Sequence, residues 1–375
     1  PFTLANRVVM APLTRGRAGT SRLPNSFMKE YYELRASAGL IISEGVAISP
    51  QGYGWYGTAG IYNREQSDLW IPITSAVKEK GGRMFLQLWH LGRQSHSSFH
   101  DGEQVVAPSA IAVPAATTRD ANQNSVSYET PRALETDEIP QIVQDYARAA
   151  SYAKDAGFDG VEIHGANGYL VDTFLQASTN QRTDRYGGPK ENRFNFLKEI
   201  VEEVGKVFPY NQIGVRISPN GGFGGMGSAS NFEDFTYYAR QLNQYGLAYL
   251  HVMDGLGFGY HNLGRAVQLF DIKKEFDGPV ISNVGHTKES AEGTLRTGAA
   301  DLVAFGRPFI SNPDLVERFK NDWPLNPNPS YEGWYGRTPD PANSLEGYLT
   351  YRPYVPPAET SSAQGNVMCT YFYMA

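Results

Sequence analysis

The sequence predicts a (β/α)8 barrel, and three observations predict it. Eight short β-like runs are spread along the chain, and stretches with helical spacing lie between most of them. Several of the helical stretches end on Gly, the residue favoured one step past a helix C-terminus. Parallel neighbours need a helical crossover, so this alternation gives a parallel sheet. Eight such units over 375 residues point to a closed barrel, with a doubly wound open sheet as the alternative. At roughly 150 residues per domain the length would suggest two or three domains, but α/β barrels run longer as one. The expectation is therefore one barrel domain over residues 1–375.

The elements follow in order. The strand-like runs are "RVVMAP", "GLIISEGVAI", "RMFLQLW", "GVEIH", "QIGVRIS", "LAYLHVM", "GPVISNV" and "ADLVAF". Helical spacing marks "NSFMKEYYELRASAG", "DEIPQIVQDYARAASYAKDAG", "NRFNFLKEIVEEVGKVF", "NFEDFTYYARQLNQYG" and "TKESAEGTLRTGA". Two segments break the repeat. Residues from about 98 to 136, rich in Pro, Ala, Ser, Thr and Asn, are too long for an ordinary connection and read as a lid-like insertion. From about 323 to 375 the chain is Pro-, Tyr- and Gly-rich and reads as a wrap over the barrel surface.

Composition excludes several classes of function. Hydrophobic residues at 41% and charged residues at 19% are ordinary for a soluble globular protein. A net charge of −6 gives no electrostatic footprint for nucleic acid or an anionic membrane. The single cysteine, Cys369, allows neither a disulfide framework nor a multi-thiolate metal site. No apolar run approaches the length that spans a bilayer. The chain opens on "PFTLANRVVMAP" without a signal-peptide pattern, so a cytoplasmic location is expected, with an upstream targeting segment left open.

In a barrel, catalytic groups belong at the C-terminal ends of strands. Period-two alternation places Phe85, Gln87 and Trp89 on one face of "MFLQLWH", against Met84, Leu86 and Leu88. The same rule groups Glu162 with His164, and Arg216 with Ser218. Three strands thus send polar groups inward, and buried polar groups need partners. Convergence in one polar pocket satisfies them together; an internal Glu162–Arg216 salt bridge is the plainer reading of that pair. After the seventh and eighth strands, "SNVGHT" and "AFGRPF" supply Val284, Gly285, Gly306 and Arg307, where barrels commonly hold a phosphate.

Other motifs are weaker. "GGFGGMG" and "GLGFGY" do not open a helix after the first strand, so they are loops and no Rossmann fingerprint is present. His96 and His100 in "HSSFH" lack a zinc-protease context. His90 and His251 follow strand runs and read equally as structural histidines or site residues. No GxSxG elbow marks an esterase.

Taken together, "NRVVMAPLTR", "QLWHLGR", "GVEIHGANGYL", "STNQRTDRYGG", "ENRFNFL" and "GRPFISNPDLVERF" resemble, in order, the old yellow enzyme family of flavin-dependent ene-reductases. The resemblance runs from residue 2 to about 352 and is nearest to bacterial ene-reductases and plant 12-oxophytodienoate reductases. It implies one tightly bound, non-covalent FMN at the barrel mouth, reduced by NADPH, and an α,β-unsaturated carbonyl substrate that takes hydride from flavin N5 at its β-carbon. Carried over by position, Pro12, Leu13 and Thr14 would line the flavin ring, with Thr14 donating to its O4. Gly45, after the second strand, would let the ring edge approach the backbone. Gln87 would meet the pyrimidine portion, and Arg216 would sit near N1 and O2. Val284, Gly285, Gly306 and Arg307 would hold the phosphate. His164 and Asn167 would donate to the substrate carbonyl, His164 also bordering the cofactor. Tyr169 would protonate the α-carbon, and Trp89 and Tyr335 would wall the pocket.

The resemblance implies a NADPH-oxidising flavoprotein without metal, nucleic-acid or membrane partners, as a monomer or homodimer. One pocket serving donor and acceptor in turn predicts ping-pong kinetics and accounts for the missing Rossmann motif. Related flavin barrels with iron–sulfur clusters need cysteines that this chain lacks. A phosphate-binding aldolase or isomerase without flavin would need a strand-end Schiff-base Lys or a Glu/His acid–base pair; the strand ends offer Glu44, Glu162 and His164 but no Lys, which leaves it a poorer alternative. The segment "SSAQGNVMCTYFYMA" extends beyond the resemblance.

Overall fold

All eight β-like runs form strands in the computed structural model, which describes residues 3–114, 116–255, 259–338 and 340–357. They are β1 (Val8–Met10), β2 (Leu40–Ala47), β3 (Met84–Trp89), β4 (Gly160–Gly165), β5 (Ile213–Ile217), β6 (Tyr249–Met253), β7 (Val280–Asn283) and β8 (Leu302–Phe305). Each is parallel to its neighbours, and β1 pairs with both β2 and β8, which closes the barrel and removes the open-sheet alternative.

The helices fall where their spacing places them. Among them are α1 (Ser26–Glu33), α3 (Ile139–Asp155), α5 (Asn195–Val204), α6 (Asn231–Asn243) and α7 (Lys288–Arg296). Between β2 and β3 the chain forms α2 (Arg64–Glu79), unnamed above, with Pro72 in its interior. Pro72 lies on the exposed face, where water can satisfy the carbonyl that a proline leaves unpaired. Two short helices complete the positions that matter for function, α4 (Leu170–Leu175) directly after β4 and α8 (Arg307–Ser311) directly after β8.

Strand alternation sorts the core as expected. Val9, Leu40, Ile42, Phe85, Tyr249, Ile281 and Leu302 form an apolar plug inside the barrel. Met84, Leu86, Leu88, Val161, Ile163, Val215 and Ile217 point outward and pack with helix residues such as Tyr146, Ala149, Leu197 and Tyr238. The β2–β3 ladder carries one irregularity, because Ile42 faces Phe85 but Gly45 faces Gln87. Two residues, Ser43 and Glu44, therefore oppose Leu86, a bulge that re-aims both side chains. The Ser43 hydroxyl takes the Gln87 N–H at 3.0 Å.

The bulge turns Glu44 toward the segment after β1. Its Oε2 accepts the backbone N–H groups of Arg15 and Gly16, both at 3.3 Å. Arg15 and Arg17, both buried, then clamp the C-terminal wrap. Arg15 donates to the carbonyls of Trp334 (2.8 Å), Gly333 (3.0 Å) and Gly347 (2.8 Å). Arg17 reaches Trp334 (2.8 Å), Ser344 (3.1 Å) and Glu346 (3.2 Å). Tyr348 stacks on Tyr31 at 4.3 Å beneath the Arg15 guanidinium. Burial, reinforced by Arg15, lowers the Arg17 pKa to about 10, so the Arg17 cation persists at neutral pH.

The insertion is ordered by pairing of its own. Thr117–Arg119 and Ser125–Ser127 form a hairpin, and Val106–Ala107 runs beside Arg132–Ala133. The tail segment "SSAQGNVMCTYFYMA", with Cys369, lies outside the described residues. Replacing Arg15 with Gln should cost about 3 kcal/mol, because buried carbonyls lose a charged donor. Denaturant unfolding reads that loss, and limited proteolysis should then cut first between residues 331 and 347; unchanged stability and cleavage would show that Arg17 suffices.

Candidate active site at the barrel mouth

Above the apolar plug, the barrel interior becomes polar. Gln87 and Glu162 face each other across β3 and β4, and His164, Arg216 and His251 are register neighbours across β4, β5 and β6. Glu162, fully buried, accepts Gln87 Nε2 at 2.7 Å and His251 Nδ1 at 2.8 Å. Arg216 donates to Asn283 Oδ1 at 2.8 Å, and Asn283 in turn donates to the Ala304 carbonyl at 3.0 Å. The expected Glu162–Arg216 bridge is thus replaced: Glu162 is satisfied by Gln87 and His251, while Arg216 reaches across to β7. Alternation fixes which face a group occupies, not which neighbour it bonds. Burial lowers the His251 pKa against the opposing pull of Glu162, so His251 is a structural neutral donor to that carboxylate.

His164 stands at the end of β4 and is 4% exposed. Its Nδ1 accepts the Ala166 N–H at 3.3 Å, which leaves the proton on Nε2. Burial first, then the charge of Arg216, hold its pKa well below the usual histidine range. His164 is therefore a neutral N–H donor. Tyr169 meets it edge-on at 5.0 Å and meets Trp89 edge-on at 4.9 Å, and Trp89 stacks with His164 at 6.2 Å. Burial, with Tyr128 and Tyr335 adding to it, raises the Tyr169 pKa, so the phenol keeps its proton.

The turn after β4 is held from below. Asn167 adopts φ +60°, donates its N–H to Ser218 Oγ at 2.8 Å and offers its carbonyl to Gln94 Nε2 at 2.5 Å. Gly168 follows at φ +74°, where a Cβ would lie 2.8 Å from Gln94 Nε2 and 2.9 Å from Met226. Its N–H donates to Asp172 Oδ2 at 2.8 Å. Asn167 lines a small cleft with Ser218, Phe223 and Met253. Ser218 shares the inward parity of Arg216 and was legible; Asp172, inside α4, and Gln94 carry no such pattern.

The remaining expected residues divide. Pro12 is buried, while Leu13 and Thr14 are partly exposed after β1. A Cβ on Gly306 would lie 3.2 Å from Leu13, so the ends of β1 and β8 adjoin. Arg307 opens α8 and sits 5.5 Å over the Trp334 ring. Val284 has φ +90°, a strained value for a β-branched residue, and Gly285 follows at +82° beside open space. Gly45 lies within β2, inside the run read from the sequence, and not after the strand. Its Cβ position would meet Trp89 at 2.6 Å, so indole packing occupies the approach. Tyr335 packs on Trp55 at 5.3 Å, on the wrap side of the mouth. His96 and His100 bond Ser98 and Ser95 at 2.9 Å each.

Residues 1–326 match the profile of the NADH:flavin oxidoreductase / NADH oxidase family. The chain belongs to that family. Its relatives include the putative 12-oxophytodienoate reductase 11 of Oryza sativa subsp. japonica, 40% identical over 87% of this chain and 89% of that protein. The probable flavin mononucleotide-dependent alkene reductase of Leishmania infantum is also 40% identical, over 87% of this chain and 90% of that one. Among solved structures, the old yellow enzyme homologue of Zymomonas mobilis is 42% identical, with a TM-score of 0.88 over 94% of this chain and 97% of that one. Morphinone reductase in complex with tetrahydroNAD, also 42% identical, gives 0.86 over 94% of each chain. The resemblance read from the motifs is therefore correct: the chain is an old yellow enzyme homologue, an FMN-dependent oxidoreductase by family.

The old yellow enzyme barrel here fits FMN on its own geometry. Arg216 Nε and Trp89 Nε1 are buried donors without a partner, as groups awaiting an oxygen-rich flat ring would be. Among the described residues, no helix is long and apolar enough to cross a membrane. One titration follows from the turn's support. Burial pushes the Asp172 carboxyl up to about 6, against its hydrogen bonds. The raised value favours the protonated form in the folded state. The cost of ionisation is absent below pH 4 and complete once pH has risen past about 6. Relative to wild type, Asp172→Asn should gain about 3 kcal/mol of stability between pH 4 and pH 7. Unfolding midpoints at the two pH values measure it; a constant difference would show that Asp172 does not titrate there.

Proposed function

We propose that this old yellow enzyme homologue reduces the activated C=C bond of α,β-unsaturated carbonyl compounds, using NADPH through FMN in a ping-pong cycle. The observation that carries the reading is the pairing of a neutral His164 N–H donor with a protonated Tyr169 phenol at one rim of the barrel, 5.0 Å apart by ring centroids. When bound, FMN would supply the hydride chemistry that links the nicotinamide donor to the β-carbon of the enone. Pro12, Leu13, Thr14, Gln87 and Arg216 would hold its ring. Gly285, Gly306 and Arg307 would hold its phosphate, with the strained Val284 aiming the backbone there.

The chain's own groups do the rest. His164 Nε2–H and the Asn167 amide donate to the substrate carbonyl oxygen and stabilise the negative charge that develops on it. Asn167 would do so from a turn whose backbone Ser218 and Gln94 fix. Arg216, buried beside His164, adds positive potential and reinforces the burial that keeps the histidine neutral. Tyr169 then gives its proton to the α-carbon. Its raised pKa suits that acceptor, because the phenol yields its proton to an enolate-like carbon and not to water. Trp89 and Tyr335 wall the pocket. The 12-oxophytodienoate and alkene reductase relatives support the substrate class, and the tetrahydroNAD complex of morphinone reductase supports a nicotinamide donor.

The purified protein should be yellow and should bleach when NADPH is added without oxygen; a colourless protein would remove the reading. Tyr169→Phe should leave bleaching within about twofold but slow enone turnover 10²-fold or more, as loss of a general acid does. Stopped-flow measurement of each half-reaction separates the two, and equal slowing of both would contradict the acid role.

A further inference from the structure

A second cleft, of about 390 Å³, lies between the hairpin of the insertion and the C-terminal wrap. Aromatic rings line it, Trp55 and Tyr56 from the loop after β2 and Tyr331 and Tyr335 from the wrap, and Arg119 and Arg337 bring two guanidinium groups. Tyr335 belongs to this cleft and also acts on Tyr169, so the cleft adjoins the candidate active site.

The two cations are set in place and not neutralised. Gln123, at φ +67° in the hairpin turn, joins them: its carbonyl accepts Arg119 Nη1 at 2.7 Å, and its amide donates to the Arg337 carbonyl. Arg337 lies 5.0 Å over the Tyr331 ring. Among the described residues, neither guanidinium is within ion-pair distance of a carboxylate. The acids nearby are accounted for. Asp120 is occupied by the N–H groups of Asn122 and Asn124 and by the Asn124 amide. Glu332 feels Arg337 only weakly, after its own backbone and Ser330. The Tyr56 hydroxyl, buried at the cleft wall, has no partner among the described residues. Two forked cations, an idle hydroxyl and flat aromatic faces are what an anionic group on a planar ligand requires.

We propose that this cleft is an anion subsite: it binds the phosphate or carboxylate at the far end of a ligand whose reactive end lies beyond Tyr335 at the barrel mouth. The proposal rests on the ene-reductase reading only for that reactive end. Two ligands share the chemistry, the nicotinamide donor through its adenosine 2′-phosphate and an enone that carries a carboxylate.

The test compares the wild-type holoenzyme with an Arg119→Gln/Arg337→Gln double variant of equal FMN content. Calorimetric titration with adenosine 2′,5′-bisphosphate and with adenosine 5′-monophosphate probes the donor source. Titration with 4-carboxycinnamaldehyde and with cinnamaldehyde probes the substrate source. In at least one pair, the dissociation constant of the more anionic ligand should rise about tenfold in the variant. That of its companion should stay within twofold, and the pair that responds names the source. For a donor site, the Kd for NADPH in flavin reduction should rise likewise, with that for NADH unchanged. No charge-dependent change in either pair would overturn the subsite, as would equal weakening within both pairs, which marks a mere wall. Because binding is read directly, an enzyme that reduces no enone would remove the proposed function while leaving this result intact.

Discussion

The carboxylate of Glu162 is the constraint around which the barrel interior is arranged. A fully buried carboxylate must collect hydrogen bonds or remain too costly to ionise. Glu162 collects them from Gln87 on one side and His251 on the other, linking β3, β4 and β6 across the interior. Arg216 and Asn283 extend the polar layer to β5 and β7. These bonds fix the side chains at one height in the barrel. The apolar plug beneath and the open mouth above are separated by that layer.

The rim inherits its precision from it. His164 follows Glu162 at the next inward position, so its ring is placed by a strand whose depth is already set. Arg216, held by Asn283, faces His164 in register and biases it toward neutrality. Beyond the strand the support changes character. Asn167 and Gly168 are in left-handed turn geometry and depend on Ser218, Gln94 and Asp172. The donor His164 is therefore carried by the sheet, and Asn167 by a hydrogen-bonded turn that rests on a buried acid.

How much of this was legible depended on whether a signal is carried by pattern or by partner. The eight strands were legible because apolar runs alternate regularly with helical stretches, whereas closure of the sheet was settled only by the pairing of β1 with β8. The inward placement of Gln87, Glu162, His164, Arg216 and Ser218 followed from parity alone. Parity could not say that Glu162 would choose His251 over Arg216. The bulge at Ser43 and Glu44 leaves no trace in a hydrophobic pattern, so the run that contains Gly45 was legible but the facing of Glu44 was not. Asp172 was hidden because a polar residue in a short helix looks like a solvent-facing one. Arg15 was visible only as the last residue of a motif and Arg17 not at all, since the carbonyls they bind have no residue identity.

That last point bears on how such an enzyme can change its diet. The wrap that bears Tyr331, Tyr335 and Arg337 is fastened to the barrel through main-chain oxygens, which every amino acid supplies. Side chains along it are thereby released from holding the path. A protein engineer, or natural drift, can rewrite the ligand-facing letters there while Arg15 and Arg17 keep the ribbon where it lies. Chemistry and selectivity then reside in separately editable parts of one chain.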